Sequence, residues 1–208
     1  MKNLNEIFEQ LILNYCDSNI IVDQLWLELK RNYTGKKRHY HNLTHLSTLI
    51  EELEQHRHTI QNWNTILFSI FYHDIVYNVL KQDNEERSAI LAVKRLKQIN
   101  LSEQEIENCY QQIIATKTHT FSANNDTNLF TDADLSILGK ELSVYKKYSL
   151  QIRKEYSIYP NFIYNSGRKK VVKHFLDMDR IFKTDLFFNQ YEIQARVNLN
   201  WELGELEL

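Results

Sequence analysis

Apolar side chains recur every three to four residues along most of the chain, which is the spacing of one face of an α-helix. The clearest stripe consists of Leu43, Leu46, Ile50 and Leu53, and Asn42 precedes it as a helix N-cap. No run of alternating apolar and polar residues is long enough to predict a strand. The sequence also contains only four Gly and one Pro to interrupt helices. We therefore predict an all-α fold.

Start and stop signals place the individual helices. Asp83 and Glu86, and again Ser102 and Glu105, stand three residues apart, which is the spacing of a capping box. The stretch 119–131 is rich in Asn, Thr, Ser and Asp and predicts a loop. No repeat or linker is visible, so we expect one domain over residues 1–208. Helices are predicted at about 3–16, 19–32, 42–57, 63–73, 83–98, 102–118, 132–139, 141–158, 165–177 and 185–204.

Charge and composition narrow the classes of function. The chain has 25 Lys and Arg against 27 Asp and Glu, so it lacks the basic excess of proteins that bind extended nucleic acid. No stretch approaches the roughly 20 apolar residues of a membrane span. Cys16 and Cys109 lie outside any C-x-x-C spacing, which argues against a thiolate zinc site and favours a reducing compartment. The N-terminal segment lacks signal-peptide character, so we expect a cytoplasmic protein.

Candidate metal ligands occur in three segments, YHNLTH at 40–45, FYHDIVY at 71–77 and TDADLSILG at 131–139. Neutral imidazole and carboxylate suit first-row divalent ions, and two His with two Asp can bind one ion while leaving room for water and substrate. Neighbouring residues in a helix project about 100° apart. His73 and Asp74 can therefore serve one ion only at a helix end or kink.

The order of these segments resembles the HD superfamily of metal-dependent phosphohydrolases over about residues 38–139. YHNLTH is similar to the YHN-x-x-H element of the cyclic-nucleotide phosphodiesterases, a branch of that superfamily, and ADLS is similar to the segment with their last metal Asp. NEERSA at 84–89, IRKEY at 152–156 and ARVNL at 195–199 resemble elements of a small family of predicted HD phosphohydrolases. The resemblance implies an HD-type helical bundle with extra N- and C-terminal helices.

The same resemblance implies a set of metal ligands. It makes His45, His73, Asp74 and Asp134 the ligands of one divalent ion, for which Mn, Fe, Ni, Co, Mg and Zn are candidates. Asp132 competes with Asp134 for the ligand role. We prefer Asp134, because Asp132 has a structural role as an N-cap acceptor at the start of the same predicted helix.

Three further residues are candidates for catalytic roles. His41, one helical turn before His45, matches the His with which those phosphodiesterases protonate the leaving oxygen, and imidazole titrates near neutral pH as that role requires. His119 stands where many HD enzymes supply a His to a second metal ion. Its alternative role is to favour a helix C-terminus electrostatically. Glu85, within NEERSA, is a candidate to orient water or substrate.

Phosphate recognition requires cations, and Arg offers bidentate geometry while Lys offers a point charge. The alternative for each candidate is an ion-paired or solvated surface charge. The candidate phosphate-binding residues are Arg38, Lys117, Arg153 and Arg168.

The many tyrosines, Tyr77 among them, are predicted to pack in the core with polar tips.

We expect a hydrolase that acts on a small phosphorylated molecule such as a nucleotide. The C-terminal half of the cyclic-nucleotide enzymes has no counterpart, so their substrate specificity is not carried across. Two alternatives stay open. One is a non-catalytic regulatory module that binds metal or nucleotide, and the other is an HD-type di-iron oxygenase, which needs a second set of ligands of which only His119 is visible. The oligomeric state also stays open.

Overall fold

The structure is a computed structural model that describes residues 3–207, and these residues form ten α-helices and no strand. The prediction of an all-α fold is confirmed. Two short 3-10 helices lie at Arg57–Thr59 and Ser136–Gly139. The α-helices are α1 (Leu4–Leu13), α2 (Asn19–Tyr33), α3 (Leu43–Glu54), α4 (Trp63–Tyr72), α5 (Asn84–Gln98), α6 (Glu103–Ala115), α7 (Asn125–Leu135), α8 (Leu142–Glu155), α9 (Asn161–Leu176) and α10 (Asp185–Glu205).

The chain divides into two compact units, of which the first ends at Thr131 and the second begins at Asp132. Helix α7 starts in the first unit and ends in the second. The single HD-type domain stays a prediction. Within residues 3–207, no helix has both the length and the apolar character needed to cross a membrane.

Helix α4 forms the centre of the first unit, where it packs against α3, α5 and α6. Its residues from Thr65 to Tyr72 are all buried. A helix that is apolar on every side is expected to be buried, and the sequence ILFSIFY has that character. The helix ends at Tyr72, so His73 and Asp74 follow directly at the end of a largely buried helix.

In the second unit, α10 packs against α8, α9 and the 3-10 helix that begins at Ser136. Gly139 allows a close approach to α10, because a Cβ added at this position would lie 2.5 Å from the Cβ of Tyr191. The side-chain amide of Asn198 donates hydrogen bonds of 2.7 Å to the carbonyls of Leu138 and Lys140. These contacts fix the segment after α7 onto α10.

The two predicted capping boxes have different outcomes. Both hydrogen bonds of the box between Ser102 and Glu105 are present, so this prediction is confirmed. The box at Asp83 is wrong, because the Asp83 side chain makes no capping hydrogen bond and its backbone (φ −119°, ψ 24°) lies outside the extended region that a capping side chain needs. Glu86 instead pairs with Lys117.

The predicted loop at 119–131 is wrong in its second half, because α7 begins at Asn125. The side chain of Asn124 accepts hydrogen bonds from the backbone of the first turn, as a helix cap does. Asp126 is buried, and its carboxylate accepts hydrogen bonds from the backbone N–H groups of Gln61 and Asn62, just before α4. Tertiary hydrogen bonds therefore stabilise a helix whose composition is typical of a loop. Helix α9 also begins at Asn161, directly after Pro160 and earlier than the predicted residue 165.

Candidate metal centre

Two helix ends place the metal-ligand candidates of the first unit. The side chain of Asn42 caps α3, as predicted, and His45 lies one turn into that helix with 5% of its surface exposed. His73 is the C-cap of α4 and is 2% exposed. Asp74 comes one residue later and lies beyond the helix. The His-Asp pair therefore stands at a helix end, which is the condition under which both side chains can face one ion.

The side chains of His45, His73 and Asp74 converge. The Nε2 atoms of the two histidines are 3.2 Å apart, and Nε2 of His73 is 3.1 Å from Oδ2 of Asp74. One potential ligand atom from each of the three residues lies within 4.8 Å of the other two. The structure thus brings together three of the four predicted ligands.

The tautomer of His73 can be assigned from its second ring nitrogen. Nδ1 lies 2.9 Å from the carbonyl oxygen of Ile70, which can only accept a hydrogen bond. In the neutral ring the proton is therefore on Nδ1, and Nε2 presents a lone pair toward Asp74. A lone pair and a carboxylate oxygen 3.1 Å apart need a proton or a metal ion between them. The donor set fits a first-row divalent ion.

His41 lies at the edge of this cluster. Its Nε2 is 3.9 Å from Oδ2 of Asp74, and its side chain is 19% exposed. The imidazole ring packs against the ring of Tyr77, with 4.4 Å between the centroids. His41 is therefore close to the cluster and still accessible to a substrate.

Arg38 contacts backbone rather than side-chain oxygens. Nη1 donates to the carbonyls of His41 (3.1 Å) and Asp74 (2.7 Å), and Nη2 donates to the carbonyl of Ile75 (3.1 Å). These are structural contacts, and the predicted phosphate contact of Arg38 stays a prediction.

Glu85 and Lys117 have contrasting environments. Glu85 is half-buried on α5, and burial raises the pKa of its carboxyl, to which the negative charge of Asp74 adds while Lys117 opposes it. Lys117 is exposed, and its Nζ contacts the carboxylate of Glu86 and the carbonyl of Gln82. The hydrogen bond with Glu86 raises the pKa of Lys117. Glu85 therefore interacts electrostatically with Asp74, whereas Lys117 is engaged in an ion pair. The catalytic role of Glu85 and the phosphate contact of Lys117 stay predictions.

His119 follows α6 after a turn. Its φ is 52°, in the left-handed region, and its N–H donates to the carbonyl of Ala115, the last residue of that helix. His is tolerated in this conformation better than most residues other than Gly. These contacts agree with a helix-terminating role, and the second-metal role stays a prediction.

Asp132 and Asp134 both lie on the part of α7 that belongs to the second unit. The carboxylate of Asp132 is fully buried and accepts hydrogen bonds from the backbone N–H groups of Lys183 (2.9 Å) and Thr184 (2.8 Å) and from the Thr184 hydroxyl (2.7 Å). Asp132 thus fixes the start of α10. The prediction that it caps its own helix is wrong, because α7 begins seven residues earlier, at Asn125. The partly exposed Asp134 stays the predicted fourth ligand.

The phosphate-binding candidates of the second unit contact protein groups. Arg168, whose side chain is 9% exposed, forms a bidentate pair with Glu202 through two hydrogen bonds of 2.9 Å. Glu202 also accepts hydrogen bonds from Tyr145 and Ser149. Burial opposes ionisation of Glu202, but Arg168 outweighs it and the pKa of Glu202 is lowered.

Arg153 fixes the turn between α8 and α9. It donates hydrogen bonds to the carbonyls of Tyr156 (3.0 Å) and Tyr159 (3.0 Å) and to the side chain of Asn161 (2.7 Å). Its guanidinium also lies 4.7 Å from the ring centroid of Tyr164. The phosphate contacts predicted for Arg153 and Arg168 stay predictions.

Tyr33 and Tyr77 adjoin the site, and the sequence did not indicate this. The Tyr33 hydroxyl accepts a hydrogen bond from the backbone N–H of Asp74, and Tyr77 packs against His41. Tyr77 is half-buried rather than part of the core as predicted. Its position four residues after His73, in FYHDIVY, was the available signal. Tyr33 had none.

No protein-family model matches the chain, and no curated protein matches it. The functional proposal therefore depends on the converging donors of the first unit and on the short segments that resemble HD phosphohydrolases.

Proposed function

We propose that the protein is a metal-dependent hydrolase of phosphate esters of small molecules, with nucleotides as candidate substrates. The observation that carries the proposal is the convergence of His45, His73 and Asp74, because one potential ligand atom from each residue lies within 4.8 Å of the other two. Two imidazoles and one carboxylate are too few to saturate an octahedral ion. Asp134 is the proposed fourth ligand, and water and substrate would take the remaining positions.

A bound divalent ion would act as a Lewis acid toward a phosphoryl oxygen and would acidify water. The protein contributes the orientation of the groups around that ion. His41 is the proposed donor of a proton to the leaving oxygen, because it is partly exposed and its Nε2 lies 3.9 Å from Asp74. Glu85 retains its proton to a higher pH than an ordinary Glu, so it is a candidate to hydrogen-bond to water or substrate.

The proposed setting is the cytoplasm, and the proposed partner is a small phosphorylated molecule rather than extended nucleic acid. Cys16 and Cys109 are both free thiols, which agrees with a reducing compartment. The formal net charge of −2 provides no general attraction for a polyanion.

The first test combines metal binding with activity. Metal-free protein would be titrated with Mn²⁺, Mg²⁺, Fe²⁺, Co²⁺, Ni²⁺ and Zn²⁺ while thermal unfolding is followed. An ion at 100 times its dissociation constant should stabilise the fold by about 2.7 kcal/mol. The same preparations would be assayed with phosphomonoesters, nucleotides and cyclic dinucleotides.

Asp74→Asn keeps the shape of the side chain and removes its charge, so we expect it to lose both the metal-induced stabilisation and the turnover. His58→Ala is the control, because His58 is an exposed residue of the 3-10 helix at Arg57–Thr59. If Asp74→Asn turns over as fast as wild type, the proposal is wrong. Tight nucleotide binding with no turnover in any metal would favour the non-catalytic regulatory module instead.

A further inference from the structure

Two irregular segments carry the polar groups at the edge of the metal centre. His41 lies in the turn before α3, and Asp74 lies beyond the end of α4. Neither residue belongs to an α-helix, so helical hydrogen bonds do not fix its backbone. Some other interaction must hold both segments if a metal centre is to keep a constant geometry.

Arg38 connects these two segments directly. From Nη1 it donates one hydrogen bond to the carbonyl of His41 and another to the carbonyl of Asp74, and from Nη2 it donates to the carbonyl of Ile75. The carbonyls of Asp74 and Ile75 lie just beyond the C-terminal end of α4. A cation is favourable at this position because the C-terminal end of a helix carries partial negative charge.

Two tyrosines hold the guanidinium in place. Its Cζ lies 5.0 Å from the ring centroid of Tyr33 and 5.1 Å from that of Tyr77, which are cation–π distances. The Tyr33 hydroxyl also accepts a hydrogen bond from the N–H of Asp74 (3.2 Å), so the N–H and the C=O of Asp74 are both held. We call Arg38, Tyr33 and Tyr77 the arginine clamp.

The clamp also reaches the imidazole of His41. Tyr77 packs against the ring of His41, and Arg38 donates a hydrogen bond to the backbone carbonyl of the same residue. The clamp therefore constrains a proposed metal ligand and a proposed proton donor at once. An Arg suits this position because its planar guanidinium group can donate to several carbonyls while the two faces of the group stack on aromatic rings. The ammonium group of Lys has neither property.

We propose that Arg38 is a positioning residue that sets the orientation of Asp74 and His41, and that it does not bind the phosphate of the substrate. This inference rests on the proposed function, because it presupposes that Asp74 is a metal ligand. Groups that orient a metal ligand change metal affinity by about 10–100-fold when they are altered. Loss of the clamp should therefore weaken metal binding even though Arg38 does not contact the ion.

The test compares Arg38→Lys with Arg95→Lys. Arg95 is also in the first unit and partly buried, and it forms a bidentate pair with Glu28 that joins α5 to α2. Both substitutions keep the positive charge and remove a planar fork. The Mn²⁺ dissociation constant would be measured by titration calorimetry well below the melting temperature of each variant. Arg38→Lys should raise it about 10–100-fold, and Arg95→Lys should leave it unchanged.

Steady-state kinetics at saturating Mn²⁺ separate positioning from phosphate binding. With the phosphoester that wild type hydrolyses, a positioning role predicts that Arg38→Lys lowers kcat more than it changes KM, because His41 is misplaced. A direct phosphate contact predicts a raised KM with an unchanged Mn²⁺ dissociation constant, and that result would overturn the inference. So would equal losses of Mn²⁺ affinity in the Arg38 and Arg95 variants, because they would reflect general destabilisation.

A milder variant covers the case in which Arg38→Lys does not fold. Tyr33→Phe removes only the hydroxyl that accepts from the Asp74 N–H, and it should raise the Mn²⁺ dissociation constant by less than the Arg38 change does. Wild-type affinity in Tyr33→Phe would count against the clamp. If wild type binds no divalent ion, the proposed function fails. If wild type binds Mn²⁺ and the clamp variants bind it equally well, only the positioning role fails.

Discussion

The carboxylates of Glu202 and Asp132 in the second unit and of Asp74 in the first unit face different kinds of partner. In the second unit, Glu202 is matched by the permanently charged guanidinium of Arg168, and Asp132 receives Nζ of Lys183 at 3.1 Å together with backbone N–H groups. In the first unit, the carboxylate of Asp74 faces imidazole nitrogens of His73 and His41. The charge of an imidazole depends on a proton, and its lone pair can instead bind a metal ion.

This difference separates a structural cluster from a candidate site. A carboxylate that pairs with an Arg or Lys side chain of the same protein needs no ion from solution, and its role is to join helices. A carboxylate that faces imidazoles can also be neutralised by a proton or a metal ion from solution. By this criterion, the cluster of His45, His73 and Asp74 in the first unit is where a ligand is expected.

The largest expected effect is in the second unit. Arg168→Met should destabilise the protein by about 3–5 kcal/mol, because it leaves the buried charge of Glu202 without its partner. The free energy of unfolding would be measured by urea titration. The double variant with Glu202→Gln should recover much of the loss, since no buried charge is then uncompensated.

A loss below about 1 kcal/mol in Arg168→Met would contradict this assignment, because that is the size of an exposed ion pair. Arg168 would then be available for the phosphate contact that the sequence suggested. The full loss, with recovery in the double variant, would remove Arg168 from the list of substrate-binding candidates.

A smaller effect is expected from the neighbouring acids of α7. Asp132→Asn should lower the free energy of unfolding by about 1–3 kcal/mol, because it weakens charge-assisted hydrogen bonds to the start of α10. Lys183 also loses its ionic partner, but burial already lowers its pKa, so it can release its proton instead of remaining an unpaired buried charge. Asp132→Asn should leave metal affinity unchanged. Asp134→Asn should do the reverse, with weaker Mn²⁺ binding and a smaller change in stability. Urea titration and Mn²⁺ calorimetry on both variants distinguish the two roles. Loss of Mn²⁺ affinity in Asp132→Asn alone would show that the wrong Asp was chosen.

The sequence predicted those parts of the fold that depend on local pattern. Apolar periodicity and caps located most helices, including the box at Ser102 and the cap at Asn42, because these signals act within a few residues. Polar helix α7 was missed in its first half. Its carboxylates, Asp126 and Asp132, hydrogen-bond to backbone N–H groups 64 and 51 residues away, and no local pattern indicates such partners.

The candidate site shows the same division. The convergence of His45, His73 and Asp74 agrees with the ordered segments of the sequence. The roles of the cationic side chains were harder to predict, because the sequence alone does not distinguish an Arg that binds backbone carbonyls from an Arg that binds phosphate. Arg38 and Arg153 both donate to backbone carbonyls at the ends of helices, which only the structure reveals.

The smallest expected effect is a pair of opposite pH dependences in adjacent residues. Burial raises the pKa of Glu85, so the folded state holds that proton more tightly than the unfolded state. Stability should therefore fall as the pH rises from the ordinary Glu value of 4.5 through the raised pKa, and Glu85→Gln should remove that fall. Urea titrations of metal-free protein between pH 4 and 7 would measure the difference from wild type.

Glu86 is the matched control, because its hydrogen bond from Lys117 lowers its pKa. Its ionised form stabilises the fold above the ordinary value, and that contribution is lost as the pH falls through the lowered pKa. Glu86→Gln should therefore reduce stability near neutral pH and have no effect at low pH, whereas Glu85→Gln should increase stability near neutral pH. If both variants shift stability in the same direction, the pKa of Glu85 is not raised in the folded protein, and Glu85 is no longer a candidate to donate a hydrogen bond at the proposed site.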